Sequence, residues 1–228
     1  MKTVIVGGVA GGMSAATRLR RLDEEAEIIV FERSGYVSFA NCGLPYYLGG
    51  VIPKRSSLML QTPASLGERF GLDVRTHHVV TGIDRQAKTV SVRHVHTGVE
   101  YAESYDNLIL APGAAPFVPD IPGAYRALAL RNIEDTDVLE AHIGVVEGRS
   151  LQPGGKHSAV VMGGGFIGLE FAENLQQRGW QTTIVELADQ IMGPLDPELA
   201  EAFQNHLEAT GVRVLTRSLI HIPEPTRL

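Results

Sequence analysis

Residues 1–32, MKTVIVGGVAGGMSAATRLRRLDEEAEIIVFE, decide the fold. Residues 3–6 are a short β-branched run that ends on glycines, and residues 14–22 place Ala15, Ala16, Leu19 and Leu22 at helical spacing. Residues 28–31 are a second, wholly apolar strand. Buried parallel strands read as continuous hydrophobic runs, and two such runs around one helix make a βαβ unit. The pattern returns downstream, with a strand at 159–162, a glycine turn at 163–168, a helix at 169–178 and a strand at 182–185. Two copies predict an α/β chain of two Rossmann-like, three-layer ββα dinucleotide-binding domains in tandem, both incomplete.

Composition narrows the partners. With 228 residues, 44% hydrophobic and 20% charged, the chain is long enough for a real core and has the composition of a globular protein. Lys plus Arg number 20 against 26 Asp plus Glu, a net charge of −6, so there is no general attraction for nucleic acid or an anionic membrane. Gly7, Gly8, Gly11 and Gly12 interrupt the only stretch that could pass for a signal peptide, and no apolar run approaches a membrane span. The one cysteine allows no internal disulfide and no multi-thiolate metal site, which makes a cytoplasmic setting the default.

Between the two copies, residues 74–105 alternate branched and polar side chains around a turn at 84–88, the pattern of a β-meander on the first domain. Residues 108–110 read as another buried strand, the Pro- and Gly-rich 111–123 as a crossover, and 147–157 as a surface loop. Residues 212–215 read as the last strand. The closing SLIHIPEPTRL, 218–228, has no periodicity and resembles a translated sequencing-library adaptor; it is read as a non-native tail, with an ordinary flexible terminus as the alternative. The expected division is 1–115, 116–217 and this tail.

Each copy carries a glycine motif and an acid. In the first, Gly7 and Gly12 take the outer positions of G-x-G-x-x-G, Val9 stands at the middle one, and Gly8 and Gly11 supply freedom beside it. The helix starting near Gly12 would aim its free N–H groups at a pyrophosphate. Glu32 follows Gly12 by twenty residues, as a ribose acceptor should, with Arg33 beside it. The second motif is complete in Gly163, Gly165 and Gly168, and Glu186 closes the next strand. A carboxylate there repels a 2′-phosphate, so NADH is favoured over NADPH, and Arg178 stands too far along the helix to reverse this. For either motif alone, close helix–strand packing explains the glycines about as well; the pair makes nucleotide binding the better reading.

Cys42 lies in SFANCGLP, residues 38–45, where Asn41, Gly43 and Pro45 suggest a loop or helix start whose backbone N–H groups favour a thiolate. A buried bystander is the alternative. The order of glycine turn, SFANCGLPYYLGG (38–50), YDNLILAPGAAPFVPDIPG (105–123) and GGGFIGLE (163–170) resembles the FAD-dependent pyridine nucleotide-disulfide reductases. It is most similar to their single-cysteine branch of coenzyme A-disulfide reductases and NADH-dependent persulfide reductases. Two-cysteine members have C-x-x-x-x-C, but Tyr47 stands five residues after Cys42.

The resemblance implies that FAD occupies the first site and NADH the second, and that electrons pass through FAD to Cys42, which forms a mixed disulfide or persulfide with a coenzyme A-type substrate. It also implies substrate contacts from Ser14, Arg18, Arg21, Ser38 and Asn41, while a lysine found further on in those relatives is Phe70 here, beside Arg69. Ala111 and Gly113 would close over FAD, Glu170 would lie near the nicotinamide, and the full-length protein would be a homodimer. His77 and His78, being adjacent on a strand, point to opposite faces, so no metal is expected. Two other readings stand beside this one: an NADH oxidase or peroxidase cycling through a cysteine sulfenic acid, and a partial nucleotide-binding protein that, as written, binds FAD poorly and turns over little.

Overall fold

The computed structural model describes residues 1–149 and 155–218, so part of the 147–157 loop and the tail from 219 lie outside the described residues. The chain forms two compact units, Met1–Asn41 with Ser56–Ala124, and Cys42–Arg55 with Tyr125 onward. The cysteine segment thus groups with the second unit, whereas the linear division at 115/116 places it with the first.

In the first unit β1 (Lys2–Val6), α1 (Ala10–Leu22) and β2 (Glu27–Phe31) form the βαβ element, one residue longer at each strand start than the apolar runs suggest. After α2 (Leu44–Leu48), which belongs to the other unit, come α3 (Pro63–Phe70), β3 (Asp73–Arg75), β4 (His78–Asp84), β5 (Thr89–His94), β6 (Glu100–Ser104) and β7 (Asn107–Leu110). The order β3-β2-β1-β7 makes a four-stranded parallel sheet, and β4-β5-β6 form the antiparallel meander.

Strand alternation sorts the core into two faces. Ile5, Ile28 and Val30 pack with Met13 and Ala16 of α1 and Leu66 of α3. Val4, Ile29 and Phe31 pack with Val90 and Val92 of the meander. These are the three layers. An ion cluster ties the sheet to the meander, where Glu103 accepts from Lys2 Nζ at 2.6 Å and from Arg75 at 2.7 Å. Burial works against the Glu103 carboxylate, yet the two cations hold it below the ordinary value of 4.5.

The second unit contains α2, α4 (Ile133–Glu147), β8 (Ser158–Met162), α5 (Phe166–Gln177), β9 (Gln181–Val185), α6 (Pro197–Ala209) and β10 (Arg213–Leu215). Its parallel sheet runs β10-β9-β8. Val161, Leu169, Ala172, Ile184, Leu207 and Val214 form its centre. Among the described residues no helix is long and apolar enough to cross a membrane.

Two expectations are corrected. Residues 108–110 are not a buried strand: β7 is the sheet edge, Leu108 and Ile109 are half-buried, and Leu110 is 57% exposed. Both motif helices start earlier than their apolar periodicity, α1 at Ala10 and α5 at Phe166, because the middle motif residue is itself the N-cap. The motif glycines that follow therefore lie in the first turn and do not delay the helix.

Candidate functional site

The first loop is built by close approach. Gly7 N–H donates to Phe31 O at 2.8 Å, and its φ of +103° is one that only glycine adopts freely. A Cβ on Gly7 would lie 2.0 Å from Ala111 O, and one on Gly12 would lie 1.8 Å from Gly7 O. The Glu32 carboxylate bridges the loop to the strand end: one oxygen accepts from Gly8 N–H at 2.7 Å, the other from Ser34 N–H at 2.9 Å. Val9, at φ −107°, is the N-cap of α1, and Gly11 is exposed on the first turn.

The second loop repeats this almost atom for atom. Gly163, at φ +102°, donates to Val185 O at 2.9 Å, and a Cβ on Gly168 would lie 2.1 Å from Gly163 O. Glu186 accepts from Gly164 N–H at 2.6 Å and from Ala188 N–H at 2.8 Å. The backbone groups two residues past each acid were not among the expected site atoms, although the E-x-S and E-x-A spacing was there to be read.

Both loops suit a pyrophosphate. Neither α1 nor α5 has a side-chain N-cap or an acid in its first turn. By contrast α3 is capped by Thr62, and α4 by Asn132 with Glu134 and Asp135 following. An uncapped helix start leaves backbone N–H groups for an anion. Each carboxylate accepts one backbone N–H on each oxygen and keeps a second lone pair on each for further donors such as ribose hydroxyls. The residues present therefore fit two dinucleotides. Gly165 is exposed and a Cβ there would meet nothing within 4 Å, the open space a backbone needs to approach pyrophosphate.

Cys42 is exposed, in the short helical turn Asn41–Gly43 that leads into α2. What anchors this segment is the second unit. Leu48 is fully buried with Leu139, Ile143, Leu175 and Trp180. A Cβ on Gly49 would come 2.3 Å from Asn174 Oδ1, so only glycine lets α2 lie this close to α5. Arg178 donates to Leu48 O at 2.6 Å and makes a two-pronged pair with Glu147 at 2.7 Å for each bond. Arg178 is thus a structural clamp away from the Glu186 loop, a role that sequence reading missed. Tyr46 sits one turn after Cys42, its phenol pushed above the ordinary value of 10.0 chiefly by the charge of Glu170, then by burial, Glu173 and Cys42. Glu170 lines a cavity of about 220 Å³ with Phe166, Leu169, Glu173, Met192 and Phe203.

The remaining expected residues divide. Ser14, Arg18 and Arg21 are exposed on α1. Arg21 lines an open basin of about 560 Å³ with Arg20, Glu24, Arg69, Phe70 and Gly71. Arg69 lies over the Phe70 ring, 5.1 Å from its centroid, so a cation stands beside Phe70 at this basin. Arg20 is committed elsewhere, donating to the carbonyls of Phe70, Asp23, Glu24, Ala26 and Gly71. Ser38 has φ +47° and its N–H donates to Gly8 O at 2.9 Å, which ties the start of the cysteine motif to the first loop. Asn41 and Arg33 are exposed. Ala111 donates to Val6 O at 2.8 Å and Gly113 turns at φ +68°.

Comparison with known proteins gives consistent matches. The profile described as pyridine nucleotide-disulphide oxidoreductase matches residues 1–224. Coenzyme A disulfide reductase of Staphylococcus aureus is 37% identical over 211 residues, 91% of this chain and 45% of that protein. Reduced Bacillus anthracis CoADR-RHD superposes with TM-score 0.87 at 48% identity, covering 95% of this chain and 38% of that one. An NAD-dependent persulfide reductase from A. fulgidus gives 0.84 at 38% identity, over 95% and 39% of the two chains. The water-forming NADH oxidase of Lactobacillus brevis gives 0.83 at 28%, over 95% and 46%. The chain spans less than half the length of the curated relatives it matches.

Proposed function

The chain belongs to the pyridine nucleotide-disulphide oxidoreductase family, and from that premise we propose that its gene product is a FAD-dependent NADH reductase of coenzyme A disulfide, or of a coenzyme A-type persulfide or polysulfide, acting through Cys42. The observation that carries this reading is the repeated loop, two uncapped helix starts each with its own carboxylate, in a chain whose one thiol is exposed.

The first loop, with Gly7, Gly8, Gly11, Gly12, Glu32 and the 111–113 turn, would hold FAD. Gly163, Gly165, Gly168 and Glu186 would hold NADH, and the Glu186 charge would repel the 2′-phosphate of NADPH. Bound FAD supplies two-electron transfer from reduced nicotinamide to sulfur. Cys42 as thiolate attacks one sulfur of the disulfide and expels the other half as a thiolate; two electrons from NADH then cleave the mixed disulfide and restore Cys42. In sum RSSR, NADH and a proton give two RSH and NAD⁺. The Arg21 and Arg69 basin would take the substrate phosphates, with Ser14, Arg18, Ser38 and Asn41 along the same ligand. Homodimeric assembly belongs to this reading.

The test follows NADH oxidation by the gene product, loaded with FAD, against coenzyme A disulfide, polysulfide, hydrogen peroxide and oxygen. Coenzyme A disulfide or polysulfide should be the fastest acceptor, and Cys42→Ser should abolish thiol release. Faster turnover with peroxide or oxygen overturns the assignment in favour of the oxidase or peroxidase reading, for which the Lactobacillus brevis likeness speaks.

A further inference from the structure

Four histidines that the dinucleotide reading leaves unused meet on the meander. His77 and His78 are not adjacent on a strand as expected, since His77 lies in the turn before β4, and each finds a partner across the hairpin. His78 is in register with His94, their ring centroids 4.8 Å apart. His77, just before β4, and His96, just after β5, have centroids 4.4 Å apart, and His77 Nδ1 lies 3.1 Å from His96 Nε2. The His94 ring stands 5.9 Å from that of His96.

The His77 ring is held in place from several sides. Its backbone is left-handed at φ +58°, its N–H donates to Ser34 O at 3.0 Å, and its carbonyl accepts from Val95 N–H at 2.7 Å. The ring lies against Gly35, where a Cβ would come within 2.8 Å of Cε1. On the other strand, Thr97 N–H donates to His94 Nδ1 at 3.2 Å and fixes the turn that carries His96.

Two facing imidazole nitrogens either share one proton or, with both lone pairs bare, grip a cation. At metal–nitrogen distances of about 2.0–2.1 Å, neighbouring nitrogens on a square or tetrahedral ion are roughly 2.8–3.4 Å apart. The His77–His96 separation of 3.1 Å falls inside that span. We propose that His77 and His96 form a two-pronged chelating site for a borderline-soft divalent cation, copper(II), nickel(II) or zinc(II), with water in the remaining positions. Imidazole donors select these ions over magnesium or calcium. Among the described residues no group of three or more His, Cys, Asp or Glu is arranged around one ion position, so these residues give the chelate two protein arms. Its structural effect would be to lock the end of the β4–β5 hairpin to the chain entering β4.

The experiment titrates untagged gene product, in a Cys42→Ser background that removes the competing thiol, with Ni²⁺, Zn²⁺ and Cu²⁺ by calorimetry. Electron paramagnetic resonance of the Cu²⁺ form counts nitrogen donors. Saturable binding with one ion per chain is expected, with two nitrogens in the copper spectrum, and loss of about tenfold or more in affinity in both His77→Gln and His96→Gln, since losing either arm removes the chelate effect. His142→Gln, an exposed histidine on α4, should leave binding unchanged. No saturable binding in the parent, or a smaller loss in either arm variant, overturns the proposal. His96 is exposed, so its variant decides the matter if His77→Gln misfolds.

Discussion

The two glycine loops share one backbone design and differ in what stands behind them. Gly7 is closed in by Ala111, which returns along β7, while a Cβ on Gly163 would meet nothing within 4 Å. The strands that lead into them differ in the same way. Val4 is fully buried under the meander, whereas Val160, at the matching position of β8, is 67% exposed, as Met162 is at 42%. The same apolar word is core in one unit and surface in the other. What changes is the covering layer, supplied in the first unit by residues 78–104. For a valine that layer is worth about 1.5–3 kcal/mol of burial. Sequence pattern thus specifies a strand's faces, and the rest of the chain decides whether a face is covered.

The largest test of this contrast is alanine at the first glycine of each loop. Gly7→Ala should cost roughly 1–3 kcal/mol for its backbone angle and roughly 1–3 kcal/mol more for the overlap with Ala111. Gly163→Ala should show the angle cost alone. Denaturant unfolding of the two variants measures both, and equal losses would break the comparison.

Where the loops agree, the variants should agree. Glu32→Ala and Glu186→Ala each strand a buried glycine N–H, on Gly8 and Gly164, and each should cost about 1.5–3 kcal/mol as a charge-assisted bond is lost. Gly165→Val copies the first motif into the second. With empty space around the Cβ, folding stability should move by less than about 1 kcal/mol. NADH affinity, read by fluorescence titration, should fall by about tenfold or more as the side chain takes the space of the pyrophosphate approach.

The smallest effect is on acid stability. Glu147 is held below the ordinary 4.5, first by the Arg178 bonds, against burial, with Trp180 assisting. Glu103 is depressed likewise, by Lys2 and Arg75 against burial. A carboxyl depressed in the folded state adds stability above its unfolded value and loses it as pH falls through the folded one. Glu103→Gln and Glu147→Gln should each lower stability by about 1 kcal/mol at neutral pH and flatten its decline below 4.5. The readout is denaturant midpoint against pH, and an unchanged slope in either variant would show that its ion cluster is not what acid breaks.

Much of the architecture was legible because it is local. β1, β2, β8, β9 and β10 fall within one residue of their apolar runs. Three helices, α3, α4 and α6, went unread and α2 was legible only as a loop or helix start, although two announce themselves: Thr62-Pro63 and Asp196-Pro197 put an N-cap residue and a first-turn proline in order at α3 and α6. α2 is too short to show a period, and in α4 apolar and acidic residues are spread around the helix so that no face stands out. The glycines and acids of both motifs were found by spacing. Ser34, Ala188, Arg20 and Arg178 were not, since each bonds a backbone or side-chain partner whose position depends on the fold.

By itself the sequence determined the two βαβ units, the places where only glycine fits and the carboxylate that closes each second strand. Strand and helix periods, and the steric limits of a tight turn, are properties of neighbouring residues. Only the tertiary structure decided that one loop is backed by Ala111 and the other is open, that the cysteine segment is anchored through α2 on α5, and that His77 faces His96. Each of those depends on chain segments far apart in sequence being brought within van der Waals contact, and no local pattern encodes that distance.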